Sequence, residues 1–137
     1  MGYILLTEDD ALLIRLYQKK LSIDGFDVRV AENGLEALDI VKEEKPDLIL
    51  LDIMMPKMNG LEVLKKLKSK AKTKHIPIIV LSNMSGGNDP DVALEMGAAA
   101  YLVKSDNPPD VVVAKVKEIL TATNRGKDVP KAVPTGK

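Results

Sequence analysis

The sequence predicts an α/β fold, a doubly wound five-stranded parallel sheet with helices on both faces. Three observations carry the prediction. Short apolar runs alternate along the chain with segments whose apolar residues lie three and four apart. Four of the runs, YILLT, DLILLD, IPIIVLS and AAYLVK, are almost continuously apolar, as strands covered on both faces must be. Glycine, proline and capping residues fall between the runs, where the chain has to turn.

Each element has its own justification. YILLT (3–7) opens the chain as a buried strand, and a helix follows on the stripe Leu13, Leu16, Tyr17 and Leu21, ended by Gly25. FDVRVA (26–31) alternates apolar and polar residues, the pattern of a strand at the margin of a sheet. Leu35, Leu38 and Val41 mark a second helix, and DLILLD (47–52) a second fully buried strand. Leu61, Leu64 and Leu67 mark the third helix, and IPIIVLS (76–82) the next strand. Asp89-Pro90 reads as an N-cap with proline in the first turn of a fourth helix, which Gly97 ends. AAYLVK (99–104) is the last strand, and Asn107-Pro108 opens a fifth helix carried by Val112, Val116 and Ile119. Strand-helix alternation of this kind calls for parallel pairing and right-handed crossovers. The stretch NRGKDVPKAVPTGK (124–137) has no apolar period and is expected to be a disordered tail or linker stub, leaving 1–123 as the domain.

Composition narrows the function. The 137 residues, 45% hydrophobic and 29% charged, suit one domain with a complete core. Without cysteine there is no disulfide, thiolate catalysis or cysteine-zinc site, and one histidine leaves any metal to oxygen ligands. Twenty basic and twenty acidic residues cancel and aromatics make up 3%, so no nucleic-acid partner is indicated. There is no apolar run of the roughly 18 residues that span a membrane, and the first residues lack a basic segment followed by a cleavable apolar stretch, so no export signal is expected. A cytoplasmic location with no membrane partner is expected.

In a doubly wound sheet, ligands bind beyond the carboxyl ends of the strands. Those ends hold Thr7-Glu8-Asp9-Asp10, Asp52, Ser82-Asn83 and Lys104-Ser105. Singly, each has a bland reading: a cap for Asp10, a turn for Asp52, a loop filler for Ser82, a solvated charge for Lys104. Jointly the bland reading fails, because unrelated surface residues have no reason to share one rim. Carboxylates about 4 Å apart repel by roughly 4 kcal/mol at an effective dielectric of 20. Lys104 offsets one charge, and the remaining oxygen cluster suits Mg²⁺ with coordination positions to spare. A phosphoryl group drawn to that ion would lie beside Asp52, which would become an acyl phosphate.

LLDIMMPKMNG, together with LLTEDD, IIVLSN and AAYLVK in that order, resembles the receiver domain of bacterial two-component response regulators, of the chemotaxis-regulator type, over about residues 2–123. The resemblance implies a flavodoxin-like strand order 2-1-3-4-5, for which the chemotaxis receiver is itself a standard example. It implies that Asp52 accepts a phosphoryl group from a phosphohistidine on a sensor histidine kinase or phosphotransfer protein. Asp9 and Asp52 would ligate Mg²⁺ directly, Glu8 through water, and the Met54 carbonyl would add a ligand. Lys104 would pair with the phosphoryl oxygens, while Ser82 would move toward the phosphate and Tyr101 change rotamer. The readout surface for a downstream effector protein would be residues 89–123. Such a chain is a signalling switch that catalyses only its own phosphorylation and dephosphorylation; the alternative is a degenerate receiver that only docks.

Two departures from the family pattern stand out. Ser105 follows Lys104 where the family usually has a cis-linked proline, and a cis bond before a non-proline costs about 3 kcal/mol, so that loop is expected to be trans or strained. Met54 and Met84 lie two residues beyond Asp52 and Ser82, where neither can orient a hydrolytic water, so a long-lived phosphoryl group is expected. Other classes fit less well. A flavodoxin-like cofactor site needs backbone and hydroxyl donors after the first strand, where this chain has three acids. An aspartyl-phosphate hydrolase of the dehalogenase-like group needs a second acid at position 54. Ser85-Gly86-Gly87-Asn88 has no lysine in P-loop register, the methionines near Asp52 read as packing, and His75 belongs to a loop at the opposite end of the sheet.

Overall fold

The computed structural model describes residues 2–53, 57–82 and 90–128. The strands are β1 (Ile4–Thr7), β2 (Val28–Ala31), β3 (Leu48–Asp52), β4 (Ile78–Ser82) and β5 (Ala100–Val103). The helices are α1 (Ala11–Ile23), α2 (Gly34–Glu43), α3 (Gly60–Lys68), α4 (Pro90–Glu95) and α5 (Pro109–Asp128). All pairings are parallel and the sheet order is β2-β1-β3-β4-β5. Every residue of β1, β3 and β4 is buried, whereas β2 alternates and lies at an edge, as its sequence pattern requires. Among the described residues, no helix is long and apolar enough to cross a membrane.

Side chains alternate across a strand, so the sheet divides the core in two. Ile4, Leu6, Leu48, Leu50, Ile79 and Leu81 pack with Tyr17 and Leu21 of α1 and with Val112 and Val116 of α5. Leu5, Ile49, Leu51, Ile78 and Val80 pack with α2, α3 and α4 through Ala37, Val41, Val63, Leu64 and Ala93. This parity decides which strand-end residues can meet.

The helix ends follow local chemistry. Asp10 caps α1, its Oδ1 accepting from Leu12 N at 2.9 Å and Leu13 N at 3.2 Å. At its other end Gly25, with φ 92°, lets Phe26 N reach Leu21 O at 3.1 Å and Gly25 N reach Ser22 O at 2.9 Å. Gly97, with φ 109°, closes α4 by the same pair of bonds.

Three expectations are corrected. Asn107 does not cap α5: its Nδ2 donates to Val103 O at 2.9 Å, and the helix begins at Pro109. Leu35 is 48% exposed, so the buried face of α2 is Gly34, Ala37 and Val41. Helix α5 extends to Asp128, so the first residues of the stretch expected to be disordered are helical. The cap expected at Asp89 and the residues 129–137 lie outside the described residues.

Candidate functional site

The backbone ladders run one residue beyond each strand and so fix the residues that follow. Glu8 N donates to Ala31 O at 3.0 Å, Ile53 N to Leu81 O at 3.0 Å and Lys104 N to Ser82 O at 2.7 Å. By strand alternation Glu8, Asp52 and Lys104 all fall on the α1/α5 face, in step with Leu6, Leu50 and Leu102. They meet there. Lys104 Nζ donates to Glu8 Oε1 at 2.8 Å and lies 3.3 Å from Asp52 Oδ2. Glu8 is 1% and Asp52 1% exposed. Asp9, one residue on, is exposed, yet one oxygen from each of Glu8, Asp9 and Asp52 lies within 4.8 Å of the others.

The second oxygen of Glu8 accepts from Asp10 N at 3.2 Å, so this carboxylate is held by an ammonium and a backbone amide. The lysine reaches two acids rather than the single one expected from sequence. Three carboxylates against one ammonium still leave a formal excess of negative charge in a largely buried place. Hard oxygen donors so crowded, with Asp9 open to solvent, fit a divalent cation such as Mg²⁺ or Mn²⁺.

Ser82 and Tyr101 belong to the opposite face of the sheet. Ser82 is in step with Val80, and Tyr101, half-buried beside Val80 on β5, packs against the α2/α3/α4 core. Both therefore lie on the side away from Lys104, one at the rim and one a step below it. The loop after Lys104 turns through Asp106 N to Val103 O at 3.0 Å, with no cis peptide bond among the described residues. Ser105 thus follows a trans bond. Met54 and Met84 lie outside the described residues. His75 is exposed just ahead of β4, at the end of the sheet away from the acids.

Two contributors were not legible as such in the sequence. Tyr17 belongs to the apolar stripe of α1, and nothing local reveals where its hydroxyl points. Burial, and then the nearby carboxylates of Glu8 and Asp52, push its phenol up to about 12. Gly60, the first residue of α3, approaches the end of β3 so closely that a Cβ there would lie 2.4 Å from Asp52 O and 2.8 Å from Ile53 Cα. Its amide donates to Ile53 O at 2.9 Å. Asn-Gly at 59–60 is thus not a free turn. Asn59 caps α3 in a reciprocal box with Glu62, and the glycine lets the helix start against the Asp52 backbone.

Residues 4–117 match the response regulator receiver domain. The chain is 41% identical over 120 residues to the transcriptional regulatory protein CpxR of Escherichia coli, covering 88% of this chain and 50% of that protein. It is 36% identical over 106 residues to the polar-differentiation response regulator DivK of Brucella anthropi, covering 77% of this chain and 86% of that protein. A solved structure of the Mn(2+)-bound form of response regulator Rcp1 superposes with a TM-score of 0.74 at 27% identity, over 98% of this chain and 100% of that one. The chain spans about half the length of transcriptional regulators such as CpxR and most of the length of DivK. With the match running through all five strands and the buried acids at their rim, the chain belongs to the response regulator receiver domain family.

Proposed function

We propose that the chain is the phosphoacceptor of a two-component system, with Asp52 as the acceptor. The supporting observation is the convergence of Glu8, Asp9, Asp52 and Lys104 within one small volume at the strand ends. A carboxylate oxygen of Asp52 attacks the phosphorus of a phosphohistidine on a sensor kinase or phosphotransfer protein. The phosphorus–nitrogen bond breaks, its electron pair stays on the imidazole, and that nitrogen takes up a proton. Lys104 holds Asp52 in place beforehand and pairs with the oxygens of the arriving group. Asp9 and Asp52, with Glu8 through water and, as the family resemblance implies, the Met54 carbonyl, would hold Mg²⁺, which would supply positive charge for the phosphoryl oxygens.

Ser82 and Tyr101 carry the outcome to the surface. Ser82 sits at the end of β4 and is 2% exposed, and it moves toward the new phosphate to hydrogen-bond it. Tyr101, on the same face of the neighbouring strand, responds by changing rotamer, and the surface of α4, β5 and α5 presents the result to an effector protein. With methionine at positions 54 and 84, a residue type that cannot hydrogen-bond a hydrolytic water into place, the phosphoryl group is lost slowly.

The test is incubation with acetyl phosphate, with and without Mg²⁺, followed by intact-mass measurement on the native chain and on Asp52→Asn. A metal-dependent adduct on the native chain alone supports the proposal. Equal labelling of both places the acceptor elsewhere, and no labelling of either favours a receiver that works by docking alone.

A further inference from the structure

Between Glu62 and the end of β4 the sequence contains no acid, and residues 65–75 read KKLKSKAKTKH. The net charge of zero over the whole chain conceals this run. Lys65, Lys66, Lys70, Lys72, Lys74 and His75 are all exposed, and no ion pair joins any of them to an acid among the described residues. Lysines in the last turn of α3 complement the helix dipole, which is reason enough for Lys65 and Lys66. That reason does not extend to Lys70, Lys72 and Lys74, which lie beyond the helix and repel one another.

The segment carrying them is firmly folded. Lys68 turns inward, its Nζ donating to Lys74 O at 2.7 Å and Ile76 O at 2.8 Å. Buried Thr73 donates through Oγ1 to Leu67 O at 2.6 Å, and Lys74 N donates to Lys70 O at 2.9 Å. One lysine and one threonine thus tie the turn together through the carbonyls of Leu67, Lys74 and Ile76, and the remaining lysines are exposed on it. The turn leads into the start of β4, at the end of the sheet opposite Asp52.

We propose that this turn is a docking surface for the phosphate backbone of double-stranded DNA, read without regard to sequence. Protein interfaces concentrate aromatic residues and arginine at their centre and deplete lysine, and this surface has neither arginine nor aromatic. The large exposed apolar residues, Leu12, Ile23, Leu35, Val92, Leu94 and Val111, all lie elsewhere, so nothing here inserts into a bilayer. Single strands need stacking partners, which are absent from the run. A duplex instead offers one charge per roughly 1.7 Å of axis, dense enough for a compact group of ammoniums to meet several phosphates together. Binding at this end leaves the acid rim clear for a kinase.

Fluorescence anisotropy of a labelled duplex of arbitrary sequence, titrated with the full chain from about 50 to 200 mM NaCl, tests the proposal. Contacts to three to five phosphates give a slope of log affinity against log salt of about −3 to −4.5. The triple variant Lys70→Ala, Lys72→Ala, Lys74→Ala is expected to lose at least about tenfold in affinity at the lowest salt and to flatten the slope by about 0.9 per contact removed. A control with the same charge change, Lys19→Ala, Lys42→Ala, Lys45→Ala, keeps both the affinity and the slope. Equal losses in the two variants, no loss in the first, or binding of the native chain to phosphatidylserine vesicles but not to the duplex would each overturn it.

Discussion

Replacing Lys104 by methionine keeps most of the side-chain volume and removes the charge. Lys104 is the cation bonded to Glu8 at 2.8 Å and placed 3.3 Å from Asp52, and both acids are 1% exposed. Gross attraction at those distances is about 5–6 kcal/mol per pair at an effective dielectric of 20, much of it offset by desolvation. Removing one partner from such a buried pair leaves the others unpaired and costs about 3–5 kcal/mol. For a domain of this size that is a large fraction of the stability. In urea unfolding followed by circular dichroism, with EDTA present, the midpoint should fall by roughly 2 M for a slope of about 2 kcal/mol/M, with the slope unchanged. Adding Asp52→Asn to Lys104→Met should recover part of the loss, since one stranded charge disappears. Saturating Mg²⁺ should stabilise Lys104→Met more than the native chain, because its cluster is more negative. A cost below about 1 kcal/mol in EDTA, or no recovery on adding Asp52→Asn, would refute the picture of buried acids held by one ammonium.

Three further outcomes are expected. Gly60→Ala gains up to about 1 kcal/mol of helix propensity but drives a methyl group into the backbone of Asp52 and Ile53, so urea unfolding should show a net loss of about 1–2 kcal/mol and acetyl phosphate labelling should slow; a variant as stable as the native chain would contradict the close approach. Tyr17 has a folded-state value of about 12 against about 10 unfolded, so its share of stability is complete below pH 10 and lost as pH rises through 12; Tyr17→Phe in metal-free buffer should remove about 2–3 kcal/mol of that alkaline decline, measured by denaturant titration at both ends of the window. Asp10→Ala removes the acceptor for Leu12 N and Leu13 N and should lower the stability by about 1 kcal/mol in thermal melts while leaving acetyl phosphate labelling in place.

By itself the sequence determined the kind and order of the elements, because apolar period and capping act within a few residues. It marked β2 as an edge by alternation, the acids and Lys104 as strand-end residues, and Gly25 and Gly97 as stops. It misplaced the start of α5, since Asn107 can cap a helix or bond back to β5 and only the folded chain selects between them. The lysine run was equally visible, but its exposure on an ordered turn was settled only by the folded chain. Only the tertiary structure decided that Glu8 and Lys104, 96 residues apart, share one face, that one ammonium serves two buried acids, that Tyr17 feels the charges of Glu8 and Asp52, and that Gly60 presses on the end of β3. The physical reason is range: propensity and caps are settled along the chain, whereas charge pairing and close backbone approach depend on which strands the sheet places side by side.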